Sequence, residues 1–228
     1  MADPYSARYA LRSFATLRIS AGGSRCAHAS KPSQLDVCGL GMNNKPFEVL
    51  MLAYLFVVIA VAARVLAGTG TLSLYGFTPV GASLLFFGSR MPRKQIWIPA
   101  ALLIGSDVYL NLAQYHMAIT WDQMVVWAWY VGACCIGLLL RGRVKPLFVG
   151  GAALGSSISF FLISNFAVWV AGYIVYPKTL AGLGTCYAAA LPFFRNDLIA
   201  TLMFSALFFS VPVLIAKTRE LQRQRATV

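Results

Sequence analysis

Eight polar residues sit in or beside long apolar runs. Asp107 and Asn111 fall four apart in "LLIGSDVYLNL", and so share one face of a helix. Asn165 and Trp169 repeat that spacing in "SNFAVWV". Lys178, Arg195, Asn196 and Asp197 belong to "YPKTLAGLGTCYAAALPFFRND" (176–197), a polar interruption between two apolar segments. An ionisable side chain within a membrane span costs about 2.5–3.5 kcal/mol on insertion scales, so its presence there is a functional hypothesis by default. The chemistry on offer is recognition: carboxylate and carboxamide acceptors, an indole wall, and two cations able to donate charge-assisted hydrogen bonds to an anionic ligand group. Catalysis is not on offer. No GxSxG, HExxH or GxxxxGK[ST] pattern occurs, so no catalytic residue is assigned, and energy for any transport must come from a partner or an ion gradient. The five cysteines form no CxxC and no Cys/His cluster, which argues against a metal, a cofactor or a disulfide framework. His116, beside Tyr115, reads as a surface residue.

The elements that must position these groups follow from composition. The chain of 228 residues is 59% hydrophobic and only 11% charged, against about 25% charged in soluble domains. Charges cluster between apolar runs of about 17–25 residues, long enough to cross a bilayer core of about 30 Å as helix. A backbone in hydrocarbon must satisfy its own hydrogen bonds, so the spans are helical. The expected fold is all-α and polytopic, with spans near 47–67, 74–88, 95–113, 124–140, 147–173 and 198–216. The second is short and carries Pro79.

The net charge of +12 would suggest nucleic acid in a soluble protein. Here the Lys and Arg residues flank spans, which points to topology and to the lipid bilayer as partner, not to nucleic acid. Basic groups precede span one, separate spans two and three ("SRMPRK") and four and five ("RGRVK"), and follow span six. The other connections hold only Lys178 and Arg195. By the positive-inside rule both termini are cytoplasmic, in a multi-pass protein of the cell inner (plasma) membrane. Asp107 then lies about 17 Å from the cytoplasmic edge at 1.5 Å per residue, and the polar groups gather in the outer half. They describe an outward-facing pocket with 176–197 as its lid or rim, either a short interfacial helix or a loop. The alternative is that Trp121, Trp127, Trp129, Tyr130, Tyr173 and Tyr176 form an interfacial belt, that Lys178 and Arg195 snorkel to headgroups, and that Asp107 and Asn165 only hold helices together.

Residues 1–45 are Ser-, Ala- and Arg-rich and acid-poor, and are expected to be a disordered basic tail, a targeting segment, or sequence ahead of a true start at Met42. The membrane domain is expected over 46–217, with a basic cytoplasmic tail at 218–228. Two small-residue stripes, Ala63/Ala67 and Gly151/Gly155/Ser159, suit close helix packing within the bundle or against a partner.

The segments "GFTPVGASLLFFGSRMPRK", "LLIGSDVYLNL" and "NFAVW…YPKTLAGL…CYAAALPFFRN" resemble an uncharacterised bacterial family of six-span membrane proteins, domain of unknown function 6580, from about Phe47 to Ala216. The architecture is also similar to the S components of energy-coupling-factor transporters. That resemblance implies a solute-binding subunit docking on a membrane coupling protein with ATPases, with Gly68–Gly76 and 176–197 closing over a ligand and Ala63/Ala67 serving the coupling contact. Arg64 inside that face departs from the pattern. A second expectation is a non-catalytic structural or accessory subunit, or assembly factor, of a larger membrane complex. A third, a membrane enzyme, would need a second acid or metal ligand near Asp107, and only Asp197 is at a suitable depth.

Overall fold

The computed structural model describes residues 46–70, 76–172 and 176–226. The basic tail and the alternative start at Met42 lie outside the described residues, as do Tyr173 and residues 71–75 of the connection between the first two helices. The described residues form six α-helices: α1 (Pro46–Gly68), α2 (Val80–Arg90), α3 (Trp97–Tyr109), α4 (Trp121–Leu138), α5 (Pro146–Ala171) and α6 (Leu180–Ala226). A 3-10 turn (Arg93–Gln95) leads into α3, and a π-helical turn (Leu110–Gln114) continues it. No strand occurs among the described residues. Four helical segments are long and apolar enough to cross a membrane: Phe47–Gly68, Arg93–Gln114, Pro146–Ala171 and Leu180–Ala226.

The architecture is built around α2. Its 11 residues span only about 16 Å, and ten of them are buried. α2 has almost no exposed face, because α1, α4, α5 and α6 all pack against it. Small residues make that possible. A Cβ on Gly88 would collide with the Cys134 carbonyl of α4, and one on Gly137 would lie 2.5 Å from the Leu85 carbonyl of α2. On the α6 side, a Cβ on Gly81 would lie 2.8 Å from Thr201 Oγ1. Aromatic side chains fill the rest. Phe56 stacks on Phe208 with ring centroids 3.9 Å apart, and Phe86 meets Phe209 edge-on. Arg141 closes the C-terminal end of α2, donating from Nε to the Gly88 carbonyl at 3.2 Å and from its terminal nitrogen to the Met91 carbonyl. It satisfies carbonyls that a helix end leaves without partners.

The segment from Leu180 onward is neither a loop nor a separate interfacial helix. It is the start of α6, which runs for 47 residues with Pro192 and Pro212 inside it. Proline removes a backbone donor and normally ends a helix. Here tertiary contacts override it: Phe161 of α5 packs against Tyr187 before Pro192 and Phe194 after it, with centroids 5.3 and 4.6 Å away. The basic segment after Lys217 likewise continues as helix to Ala226, and Arg219 pairs with Glu48 of α1 at 2.5 Å.

Candidate functional site

Two polar sites occur toward the end of the bundle where α1 and α5 finish. The first is Asp107, 1% exposed near the end of α3. Three residues of α4, spaced four and three apart and so on one face, converge on its Oδ2: Gln123 Nε2 at 3.1 Å, Trp127 Nε1 at 3.0 Å and Tyr130 OH at 2.9 Å. Arg64 of α1 approaches Oδ1 at 2.5 Å. Arg64 also stands 5.9 Å above the Tyr130 ring. Asp107 therefore ties α1, α3 and α4 together: Oδ2 accepts all three α4 hydrogen bonds, and Oδ1 faces the Arg64 guanidinium as an ion pair. Asn111, on the π-helical turn, donates to the Asp107 backbone carbonyl at 2.9 Å.

The second site is a cavity of about 350 Å³. Arg64 reaches it from α1, and Gly76 and Thr78 border it from the connection before α2. Phe160, Phe161, Ser164 and Asn165 come from α5, and Phe193, Phe194 and Asp197 from α6. The cavity is thus an apolar chamber with one guanidinium, one carboxylate and a few neutral polar groups. That balance is typical of small-molecule sites, which run to about 300–1,000 Å³. Arg64 links the two sites: its Nε is buried and without a hydrogen-bond partner, while its terminal nitrogen is held by Asp107.

The sequence-predicted residues divide accordingly. Asn165 and Asp197 line the cavity. The Asn165 amide donates to the Phe161 carbonyl at 2.8 Å. Asn196 is half-buried on α6, and Arg195 is exposed. Trp169 lies in the last turn of α5 and Lys178 in the α5–α6 connection. Lys178 Nζ donates to the Val170 carbonyl at 2.7 Å and to the Trp169 carbonyl, and sits 5.2 Å above the Trp169 ring. Trp169 Nε1 donates to the Pro177 carbonyl at 3.0 Å. Lys178 is a C-terminal cap of α5, a position that favours cations. Neither Lys178 nor Arg195 borders this cavity.

Of the aromatic residues read as a membrane belt, Trp127 and Tyr130 instead serve Asp107, and Trp129 donates to Ser159 at 3.1 Å. A buried indole or phenol needs a partner, and these have found one. Ser159 thereby serves α4 rather than an open face. Gly151 and Gly155 are exposed, and a Cβ on either would meet nothing within 4 Å, so that stripe does not pack inside this bundle. Ala63 and Ala67 are half-buried on α1.

Sequence reasoning missed Arg64, Gln123 and the four phenylalanines of the cavity. One signal was available for Arg64. A guanidinium within a span calls for a counter-ion even near the span's end, and Asp107 is a carboxylate within a span.

Fold and composition together define a chain whose described residues are helical without strands and include four helices long and apolar enough to cross a membrane, the hallmark of a membrane protein. A family model described as "Family of unknown function (DUF6580)" matches residues 44–224, and the chain belongs to that family. Neither the curated proteins nor the solved structures contain a match to it.

Proposed function

We propose that the protein is an integral membrane solute-binding or transport subunit, S-component-like, with six crossings and both termini on the cytoplasmic side of the inner membrane. In this reading α2 and α4 complete the six, and the cavity opens outward. The carrying observation is the cavity itself: about 350 Å³, walled by Phe160, Phe161, Phe193 and Phe194, with Arg64 and Asp197 on its surface. Basic residues support the orientation, since Arg93, Arg141 and Arg143 fall in the α2–α3 and α4–α5 connections, which do not line the cavity. Native mass spectrometry of the gently purified protein tests the reading. A small molecule retained by the wild type and lost in Phe161→Ala is expected. An unliganded mass from native membranes, with no solute raising thermal stability, would sink it.

A second reading, a structural or accessory subunit of a larger membrane complex, is favoured by one observation. The Gly151–Gly155 face of α5 is open, and small residues of this kind let another helix approach closely. Co-purification of a stoichiometric membrane partner that is lost on Gly151→Leu would support it. A monodisperse single chain under the same conditions would count against it.

A further inference from the structure

We propose that the cavity takes a protonated organic amine, with Asp197 as its counter-ion. The inference rests on the solute-pocket reading and specifies the ligand class for it.

Charge balance leads there. Two charged side chains border the cavity, Arg64 and Asp197. Arg64 already has its carboxylate, Asp107, at 2.5 Å. Asp197 has no equivalent: among the described residues no Lys, Arg or His lies within 4 Å of its carboxyl oxygens. The neighbour it does have is the neutral Ser157 hydroxyl of α5. The chamber is thus bordered by a guanidinium whose counter-ion, Asp107, lies outside it and by one unmatched carboxylate, which a cationic ligand would neutralise. The two basic residues nearest in sequence do not supply the missing charge, since Lys178 is bound to the α5 carbonyls and Arg195 is exposed.

The walls make the cation organic. Four phenyl rings line the chamber, and aromatic faces attract ammonium groups within about 6 Å of the ring centroid. The volume, about 350 Å³, is far more than a dehydrated metal ion fills, and no group of three or more metal-ligating side chains occurs among the described residues.

Helix geometry also suits Asp197 to the task. Thr201 and Ser205 follow it at four-residue intervals, on the same face of α6. Thr201 and Ser205 are buried, and their hydroxyls lack hydrogen-bond partners among the described residues, while the buried Ser157 hydroxyl neighbours Asp197. Several other helical hydroxyls, those of Ser83, Ser106, Ser164 and Ser210, bond back to their own helix, although Ser156 does not. Ser157 and Thr201 are positioning residues that orient the carboxylate as it takes up its ligand.

The test uses the purified full chain in lipid nanodiscs and three probes of matched size: 2-phenylethylamine, 2-phenylethanol and 3-phenylpropanoate. Binding is read by calorimetry and by the rise in unfolding temperature. The amine is expected to bind at least about tenfold more tightly than the alcohol or the carboxylate, since a charged hydrogen bond is worth about ten- to a hundredfold in affinity. Asp197→Asn is expected to erase that preference while leaving the unliganded melting temperature near wild type. The wild-type ranking of the three probes stands as a test even if the variant fails to fold. Preference for the carboxylate would overturn the proposal and assign the cavity to Arg64, leaving the solute-pocket reading intact. Equal binding of all three would overturn it in favour of a purely apolar site. Stabilisation by sodium chloride with no response to the amine would overturn it in favour of a metal-ion site. Failure of every probe, together with a solute-free native mass, would overturn both readings.

Discussion

Breaking the Asp107 node is the most direct test of how this bundle is held. Asp107→Asn keeps the side-chain size and one acceptor oxygen, so the Gln123, Trp127 and Tyr130 donors retain part of their partner. What it removes is the ion pair to Arg64 at 2.5 Å. Removing one member of a fully buried pair costs about 3–5 kcal/mol. The Arg64 side chain keeps 29% of its exposure, which discounts the loss to about 2–3 kcal/mol because a solvated partner is screened. Arg64→Met should cost a similar amount, by leaving Asp107 with neutral donors only. The double variant should cost about 3–4 kcal/mol, well below the sum, for a coupling energy of about 1–2 kcal/mol; interhelical polar contacts in membranes reach about 1.7 kcal/mol by the same measurement. The assay is reversible unfolding in bicelles, followed by tryptophan fluorescence, for the wild type, both single variants and the double. Additivity of the two single effects within about 0.3–0.5 kcal/mol would mean that Arg64 and Asp107 act independently, and the account of α1 held to α3 through this pair would be refuted.

Other substitutions probe the remaining joints. Gly88→Ala is expected to destabilise by about 2 kcal/mol or more, because its methyl meets the α4 backbone rather than a side chain that can turn away. Gly151→Ala, on the open face of α5, should be neutral or gain about 0.5–1 kcal/mol; thermal unfolding of the two variants side by side checks the contrast, and equal losses would contradict the α2–α4 packing. Arg141→Met removes two charged hydrogen bonds to carbonyls at the end of α2 and should cost about 1.5–3 kcal/mol. Hydrogen exchange should then rise at residues 88–91 before it rises elsewhere in α2. Lys178→Met removes only an exposed helix cap and should cost less than about 1 kcal/mol, with any retained solute unchanged in native mass spectra; loss of that solute would return Lys178 to the binding site.

The helices themselves were legible in sequence because hydrophobic length and the cost of an unsatisfied backbone are local properties. Pro146, which opens α5, and Gly172, which ends it in a left-handed conformation, stand where local rules put them. Asp107 was legible as a buried polar residue, because its cost inside an apolar run does not depend on the fold. Its partners were not. Gln123, Trp127 and Tyr130 fall on one face of α4, but nothing local says that this face meets α3. Trp127 therefore looked like a residue of the membrane interface.

The start of α6 shows the same boundary from the other side. Local rules end a helix near Pro192, and only the packing of Phe161 across it carries the helix through. The cavity is wholly a tertiary product. It brings together Arg64, Phe161 and Asp197, residues up to 133 positions apart, 197 minus 64. Sequence alone determined an all-helical, membrane-soluble chain with costly polar groups, because burial in lipid constrains each segment separately. The tertiary structure decided which of those groups are matched and which are left over. A charge is neutralised only by what lies within a few ångströms in space, and that distance is set by how the helices pack.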